Sequence, residues 1–165
     1  MKNKIYLGTR VYNIANQYDI SSTIVHRIIK EYIEYSKNLL LHGERIDFLG
    51  LLYIEPDVKF KKYNTTLGYI CKQVSNKLQL PSHTVYVIIK EYLLSLKEGL
   101  FEGKTAEIRG IVTIHPIVID GKITKIHSAI SLSIKKYLED NKNNTIIHSA
   151  RVHTYKNLRE EISNV

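Results

Sequence analysis

The chain has 165 residues, 44% of them hydrophobic, and a formal net charge of +8. This composition excludes bulk disorder, and a single cysteine excludes an internal disulfide. The positive charge favours polyanions, nucleic acid first, and is also compatible with binding to acidic protein surfaces. No stretch reaches the roughly 18 apolar residues of a membrane span, and the first ten residues lack the apolar core of a signal peptide. We therefore expect a soluble intracellular protein.

An internal repeat organises the sequence. Residues 7–56 align without a gap on residues 67–116, with 16 identities in 50 positions, including the run Ile28-Ile29-Lys30-Glu31-Tyr32. A match of this extent indicates a duplicated structural unit. We predict a first unit at 1–60, a second at 61–142 and a C-terminal tail at 143–165. Units of this size are near the lower limit for an independent core, so each is expected to lean on the other or on a partner.

The first unit begins with two predicted helices. Apolar residues recur on one face of residues 8–18, which indicates a short amphipathic helix. A longer helix follows to about His42, and the side chain of Ser21 or Ser22 is expected to cap its N-terminus. Gly43 is expected to end this helix with a positive φ.

Two short strands, 45–49 and 51–54, are predicted next, around a turn at Gly50. Pro56 is expected to end the pairing because proline cannot donate to a ladder. Residues 57–64 then carry the lysines Lys59, Lys61 and Lys62 between two aromatic residues. This segment is either a phosphate-contacting strip or a solvated linker.

The second unit repeats the order, with helices at about 66–78 and 82–102 and a strand at 105–109. Cys71 lies on the apolar face of the first of these helices, where it is expected to be a small core residue. Beyond Gly110 the second unit departs from the first. Residues 111–127 are predicted to form a hairpin around Asp120-Gly121, a strong signal for a two-residue turn.

The hairpin is the candidate protein interface. Pairing about its turn sets Val118 opposite Ile123 on one face and places Ile117, Ile119 and Ile126 on the other. Both faces are thus expected to be apolar near the tip. Since exposed apolar surface of this kind usually marks a contact with protein, we expect the hairpin to pack into a partner.

A third helix is predicted at 129–138, with Lys135 and Lys136 on its polar side. The tail contains a predicted strand at 146–153 and a predicted short helix at 155–162. Two alternatives remain open for the tail, which is either a docking segment or a loosely attached terminus.

The order of elements resembles the HU / integration host factor family of small bacterial DNA-bending proteins. The residues that carry the resemblance are Gly43-Glu44-Arg45-Ile46-Asp47-Phe48-Leu49-Gly50 and, more weakly, Gly103 to Gly110. It covers roughly residues 7–140, including the helix after the hairpin. The resemblance implies an α+β fold of two tandem units, each with a helix, a turn, a long helix and short antiparallel strands. Family members are intertwined dimers whose strand arms lie in the minor groove of DNA.

The chain departs from this family at the arm. The family carries basic residues and an intercalating proline at the arm tip, whereas this hairpin turns at the acidic Asp120. Minor-groove bending needs an apolar wedge surrounded by Arg and Lys, and these residues cannot be carried over. The first unit has no room for an arm, since about ten residues separate Pro56 from the next helix. The resemblance therefore implies the scaffold without the wedge.

Proteins similar to this family also occur in tailed bacteriophages, including the crAss-like group, near neck and tail proteins. Three features favour a structural subunit of a phage virion: the resemblance, an amino-acid usage typical of an AT-rich genome, and the duplicated scaffold. The subunit is expected in the neck or tail, where it would form a ring oligomer. Its expected partners are copies of itself and portal, neck or tail proteins. It is expected to be assembled in the bacterial host cytoplasm.

Two further hypotheses remain. The alternative is an architectural protein of the cytoplasm or nucleoid that binds double-stranded DNA through Lys59, Lys61, Lys62, Lys122, Lys125, Lys135 and Lys136. A phage regulator that docks on a host protein is the third hypothesis. We expect no catalytic, metal-binding or cofactor-binding residues, because no phosphate loop, nucleophile elbow or paired-acid motif is present. His115 and His127 are expected to approach each other diagonally across the hairpin, and two histidines alone make a weak metal site.

Overall fold

The computed structural model describes residues 4–58, 65–143, 147–155, 158, 160 and 161. These residues form a mixed α+β fold with five helices and two antiparallel three-stranded sheets. The helices are α1 Leu7–Tyr18, α2 Ser22–Leu41, α3 Leu67–Leu78, α4 Ser82–Phe101 and α5 Leu132–Asp140. The strands are β1 Ile46–Phe48, β2 Leu52–Val58, β3 Ala106–Ile108, β4 Val112–Ile119, β5 Lys122–Ile130 and β6 Ile147–Thr154. Residues 158, 160 and 161 are also helical.

The first four helices lie where the apolar periodicity predicts them. After α2, Gly43 has a φ of 90°, and the amide of Glu44 donates to the carbonyl of Leu39 at 3.0 Å. Helix α2 thus ends at a glycine with positive φ, as predicted. The predicted side-chain cap on α2 is wrong, because Ser21 occupies the cap position without a side-chain hydrogen bond to the helix. The equivalent position before α4 is Pro81, which has no side-chain acceptor at all.

The two sheets share one topology and one register. Their strand orders are β1-β2-β6 and β3-β4-β5. Ile54 lies opposite Val152 in the first sheet, and Ile114, sixty residues after Ile54, lies opposite Ser128 in the second. Each sheet has a register shift at an equivalent place, after Asp57 in the first and after Ile117 in the second. The duplication therefore extends to the third strand of each sheet.

The third strand of the first sheet comes from the C-terminal tail. Strand β6 pairs with β2 from Leu52 to Val58, and the amide of Tyr155 donates to the carbonyl of Leu51 at 3.3 Å. In the second sheet the amide of Ser131 donates in the same way to the carbonyl of Ile111 at 2.8 Å. Residues 147–155 are therefore not a loosely attached terminus. The predicted strand at 146–153 is confirmed from Ile147 onwards.

Pro56 does not end the pairing of β2, contrary to the prediction. It lies opposite Ala150, and the strand continues to Val58. Strand β1 opposes β2 only as far as Ile54, so, among the residues that the structure describes, one side of β2 has no neighbouring strand beyond that residue. A proline is tolerated at such an edge because no donor is required on the open side.

The third helix begins later than predicted. Ala129 and Ile130 belong to β5, where they lie opposite Thr113 and Val112, and α5 starts at Leu132. The hydroxyl of Ser131 accepts from the amide of Ser133 at 3.2 Å and caps the helix. The strand extends to Ile130 because that side chain packs against the core. Of the predicted helix at 155–162, residues 158, 160 and 161 are helical, Tyr155 is not, and the others lie outside the described residues.

The two halves of the chain are interlocked. The segment before α1 reaches Thr105, the residue before β3, where the amide of Ile5 donates to the carbonyl of Thr105 at 2.9 Å. Conversely, Thr65, before α3, bridges to Ile46 of β1. Lys77 of α3 lies 2.9 Å from the carboxylate of Glu31 in α2. Each half thus supplies contacts that complete the other, as expected for units too small to be stable alone.

Buried residues from both halves form one hydrophobic core. It includes the large side chains Tyr32 and Phe48, whose rings meet edge to face with centroids 6.3 Å apart. Cys71 is buried in the same core, as predicted, and burial raises the pKa of its thiol to about 11. The thiol therefore stays protonated near neutral pH and acts as a small apolar residue.

Candidate protein interface

The hairpin formed by β4 and β5 projects from the second sheet. Its turn residues Asp120 and Gly121 both have positive φ, 51° and 76°, as a type I′ turn requires. Glycine adopts this conformation without strain and aspartate tolerates it, so the predicted turn is confirmed. Strand β3 opposes β4 only at Val112 to Ile114, and the outer part of the hairpin extends beyond it.

A β-bulge changes which residues share a face. Val118 lies opposite Ile123, as predicted, and Ile117 lies opposite Lys125. Thr124 is the extra residue between these pairs, and its hydroxyl donates to the carbonyl of Ile117 at 3.1 Å. An extra residue moves every side chain beyond it to the opposite face of the strand.

The bulge places Ile126 opposite Pro116, on the same face as Val118 and Ile123. The prediction that Ile126 shares a face with Ile117 and Ile119 is therefore wrong. On this inner face Ile123 and Ile126 are half-buried and pack against the core. Val118, nearer the tip, is 47% exposed.

The outer face of the hairpin combines apolar and basic side chains. Ile119 lies opposite Lys122, and Ile117 lies opposite Lys125. Ile119 is 57% exposed and both lysines are exposed. The prediction that both faces are apolar near the tip is therefore wrong for this face, because Lys122 lies on it beside the turn and the bulge brings Lys125 onto it as well. A surface of this kind can contact apolar and acidic groups together.

His115 and His127 lie on the same outer face, nearer the body of the protein. They are directly opposite each other across the two strands, not diagonal as predicted. The Nδ1 atom of His115 lies 3.3 Å from the hydroxyl of Thr105. Among the residues that the structure describes, no group of three His, Cys, Asp or Glu side chains could hold a metal ion.

The remaining candidate lysines are only partly described. Lys135 and Lys136 are exposed on α5. Lys135 lines a groove between α5 and β6, together with Ser149 and Ala150. Lys59, Lys61 and Lys62 lie outside the described residues. The structure thus places four of the seven candidate lysines, two on the outer face of the hairpin and two on α5.

The outer face of the first sheet is a surface that the sequence analysis missed. Its exposed residues include Glu55 and Asp57 on β2 and Arg151 on β6, with Glu55 opposite Arg151. This surface was not predicted because β2 was expected to stop at Ile54, before both carboxylates. The alternation of Tyr53, Glu55 and Asp57 with the apolar Leu52, Ile54 and Pro56 was the available signal.

An aromatic cluster fixes the inner end of this surface. The ring of Tyr53 stacks on His153 with centroids 4.7 Å apart, and the guanidinium of Arg45 lies 3.8 Å from the centre of the Tyr53 ring. The hydroxyl of Tyr155 donates to the carboxylate of Asp47. Burial and this hydrogen bond raise the pKa of Tyr155 to about 12. The cluster ties β6 to β1 and β2 through side chains.

Comparison of the chain with protein-family models, with curated proteins and with solved structures found no match. The resemblance to the HU / integration host factor family therefore stays a prediction. In the part of the chain that the structure describes, no helix has the length and apolar character needed to cross a membrane.

Proposed function

We propose that the chain is a non-enzymatic structural subunit that assembles through protein–protein contacts, with the β4–β5 hairpin as its principal contact. The observation that carries this proposal is the exposure of apolar side chains at a free hairpin turn. Val118 is 47% and Ile119 57% exposed there, on opposite faces of the strand. Burying both faces requires a partner that receives the tip, and exposed apolar patches commonly mark such contacts.

The scaffold in this proposal is a tandem duplication of the HU / integration host factor type. Its support is the repeated order of a 12-residue helix, a 20-residue helix and a 3-residue strand in the two halves. The interlocked halves are also in keeping with the intertwined dimers of that family. The proposed setting is the neck or tail of a phage virion, where the subunit contacts its own copies and neighbouring virion proteins in a ring assembled in the host cytoplasm.

Binding to double-stranded DNA is the second candidate function. It is favoured by Lys122 and Lys125, which are both exposed on the outer face of the hairpin. Against it, the outer face of the first sheet exposes two carboxylates, Glu55 and Asp57, beside Arg151, and these carboxylates would repel phosphates. A protein that lays both sheets on DNA would need basic residues on both, so the geometry favours the protein contact.

The mass of the native protein tests the proposed function. We expect a defined oligomer, a multiple of 19.1 kDa, in native mass spectrometry and sedimentation experiments without DNA. Replacing both Val118 and Ile119 with serine should weaken the assembly by at least about tenfold, since interface hot spots contribute more than about 1 kcal/mol each. A matched control is Leu132→Ser, which changes an 80% exposed leucine on α5 away from the hairpin.

A DNA-binding experiment separates the two candidates. The assembly function predicts no shift of duplex DNA at nanomolar protein in near-physiological salt. If the protein shifts such DNA, and the affinity falls by about 0.9 log units per phosphate contact per decade of salt, the DNA-binding candidate replaces it. A protein that stays monomeric at all concentrations also contradicts the assembly function.

A further inference from the structure

Helix α4 carries apolar residues on every side, including the side that faces solvent. Val87, Leu94 and Phe101 recur there at seven-residue spacing, which keeps them in one line along the helix. Leu94, in the middle of this line, is 41% exposed, and the other two side chains are partly exposed. Because a helix that is apolar all round is ordinarily buried, we expect another molecule to cover this side of α4.

Two free charges of opposite sign flank Leu94. Lys90 lies four residues before it and Glu98 four residues after it, and both side chains are exposed. Within the described ranges neither of them forms an ion pair. Exposed charges without internal partners contribute little to folding, whereas complementary charges across an interface orient association.

The two other charged residues beside Leu94 face groups within the chain. The amine of Lys97 lies 3.3 Å from the carboxylate of Glu161. Burial and the nearby carboxylate of Glu91 raise the pKa of Tyr18 in α1, so that carboxylate faces the first half of the chain. Lys90 and Glu98 are therefore the charges on this side of α4 that remain for a partner.

We propose that α4 packs antiparallel against α4 of a second copy of this chain, about a twofold axis that passes beside Leu94. In this arrangement a residue before Leu94 faces the residue that lies equally far after it in the other copy. Lys90 then meets Glu98 at two symmetric places, Val87 meets Phe101, and Leu94 meets itself on the axis. Each apolar side chain thus meets an apolar one, and each free charge meets its opposite.

The equivalent side of α2 lacks this complementarity, although the two helices are copies of one unit. Its middle residue is the exposed Glu34, so the same arrangement would bring two carboxylates together. Lys30 would face the uncharged Asn38. The pattern on α4 is therefore particular to the second half and is not a requirement of the repeated fold. A parallel pairing of α4 would set Lys90 against Lys90, so the charges select the antiparallel arrangement.

This contact is separate from the hairpin and goes beyond the proposed function. A twofold contact is closed by two copies, whereas a ring joins two different surfaces of each copy. One helix face is small beside the roughly 1,600 Å² of a standard interface, so we expect the α4 dimer to form at micromolar and not at nanomolar concentration.

Cross-linking at single cysteines in the full chain tests the twofold axis. Leu94→Cys should give a covalent dimer under mild oxidation, because the axis brings the two thiols within disulfide reach. Lys90→Cys alone and Glu98→Cys alone should not, since two copies of either residue are about 12 Å apart along the helix axes. An equal mixture of these two variants should cross-link. The native Cys71 is buried and does not interfere. The matched control, Leu132→Cys, places a thiol at an 80% exposed position of α5 and should cross-link far less.

Charge reversal measures the contribution of the two ion pairs. It is made in the hairpin variant that carries Val118→Ser and Ile119→Ser, so that only the α4 contact is measured. Lys90→Glu or Glu98→Lys should each weaken the dimer by about tenfold or more, because each brings like charges together at two places. The two changes combined should restore most of the affinity. The matched control is Lys30→Glu, the equivalent exposed lysine of α2, which should leave the dimer unchanged.

Sedimentation velocity measures the mass of each variant, and circular dichroism with thermal unfolding confirms that each is folded. If Leu94→Cys cross-links no better than Leu132→Cys, or if the combined charge reversal does not recover the affinity, the α4 contact is wrong. A parent oligomer that the hairpin variant reduces to monomers leaves the assembly function standing and overturns the α4 contact. A dimer that cross-links at residue 94 and is unaffected by the hairpin variant supports the α4 contact and removes the hairpin contact. A monomeric parent overturns both.

Discussion

The two sheets have the same strand order and the same bulge but are closed in different ways. The second sheet gains its third strand through the two-residue turn Asp120-Gly121, so β4 and β5 are neighbours in sequence. The first sheet gains its third strand from β6, which follows β2 only after the entire second unit. The second unit is thus inserted between two strands of the first.

This difference gives the two sheets different connections. In the second sheet the two-residue turn joins the middle and third strands. In the first sheet α3 is the next element after the middle strand, and α5 is the element before the third strand. A duplicated scaffold with two equivalent ends has become one with two distinct ends.

The equivalence of the two sheets is tested most strongly by truncating the buried residue that follows each third strand, Leu158 in the first sheet and Ile134 in the second. Leu158 is 1% exposed and Ile134 is fully buried. The two are equivalent because Leu158 follows Ile134 by twenty-four residues, the same separation that relates β6 to β5 in their pairing with the middle strands. We expect Leu158→Ala and Ile134→Ala each to lower the free energy of unfolding by about 2–5 kcal/mol, because each leaves a cavity in the shared core. Urea denaturation measures both.

A loss below about 1 kcal/mol for Leu158→Ala, beside a large loss for Ile134→Ala, would contradict the equivalence of the two ends. The control is Leu132→Ala. It removes an exposed leucine from α5 and should change stability by less than about 0.5 kcal/mol.

Local sequence patterns predicted the elements of the repeat and failed where distant residues decide the structure. Four helices, the type I′ turn and Gly43 followed from periodicity and glycine chemistry. The partner of β6 could not follow from sequence, because residues 147–154 share almost no identities with β5 and pair with a strand 89 to 102 residues earlier. The shared apolar character of Ile134 and Leu158 is the residual signal.

The candidate interface was predicted in part for the same reason. The residues of the hairpin and its turn were visible, but the faces depended on a one-residue bulge that no sequence pattern in residues 117–126 specified. A bulge changes little in local propensity and transfers every later side chain to the other face. Lys125 consequently lies beside Ile117. The outer face of the first sheet, with Glu55, Asp57 and Arg151, depends in the same way on the continuation of β2 past Pro56.

A second prediction sharpens the comparison at Tyr155 and Ser131, the equivalent residues after the third strands. Tyr155→Phe removes a hydrogen bond to the carboxylate of Asp47 and should cost about 1–2 kcal/mol. Ser131→Ala removes the cap of α5 and should cost about 1 kcal/mol. Thermal unfolding at neutral pH measures both, and no loss in Tyr155→Phe would show that the aromatic cluster does not hold β6.

The pH dependence of stability tests the contribution of the Tyr155 hydroxyl by itself. Folding raises the pKa of Tyr155 from 10.0 to about 12, so the folded state binds its proton more tightly than the unfolded state. The resulting stabilisation is fully present below pH 10 and is lost as the pH rises through 12. Buried Tyr32 and Tyr92 also have raised pKa values and contribute in the parent and the variant alike. The parent should therefore lose more stability than Tyr155→Phe between pH 10 and 12.

The smallest expected effect concerns Gly99, where the crossing segment before α1 meets α4. The equivalent residue of α2 is Leu39, so the glycine is particular to the second half. A Cβ atom at position 99 would lie 2.1 Å from Cδ1 of Ile5, whose amide joins β3 through Thr105. Gly99→Ala gains about 1 kcal/mol of helix propensity but forces the end of the Ile5 side chain to move, at about 1–2 kcal/mol. We expect a net loss of about 1 kcal/mol or less in urea denaturation.

A double-mutant cycle tests whether contact with Ile5 causes the loss of stability in Gly99→Ala. Ile5→Ala removes the two side-chain atoms nearest to the added methyl group, so Gly99→Ala in that background should stabilise the protein by about 0.5–1 kcal/mol. The reversal of sign identifies the glycine as the space through which the N-terminal segment crosses to the second half. If Gly99→Ala stabilises the parent and the Ile5→Ala variant equally, Ile5 does not occupy that space in solution. The N-terminal segment then does not pack against the second half at this point.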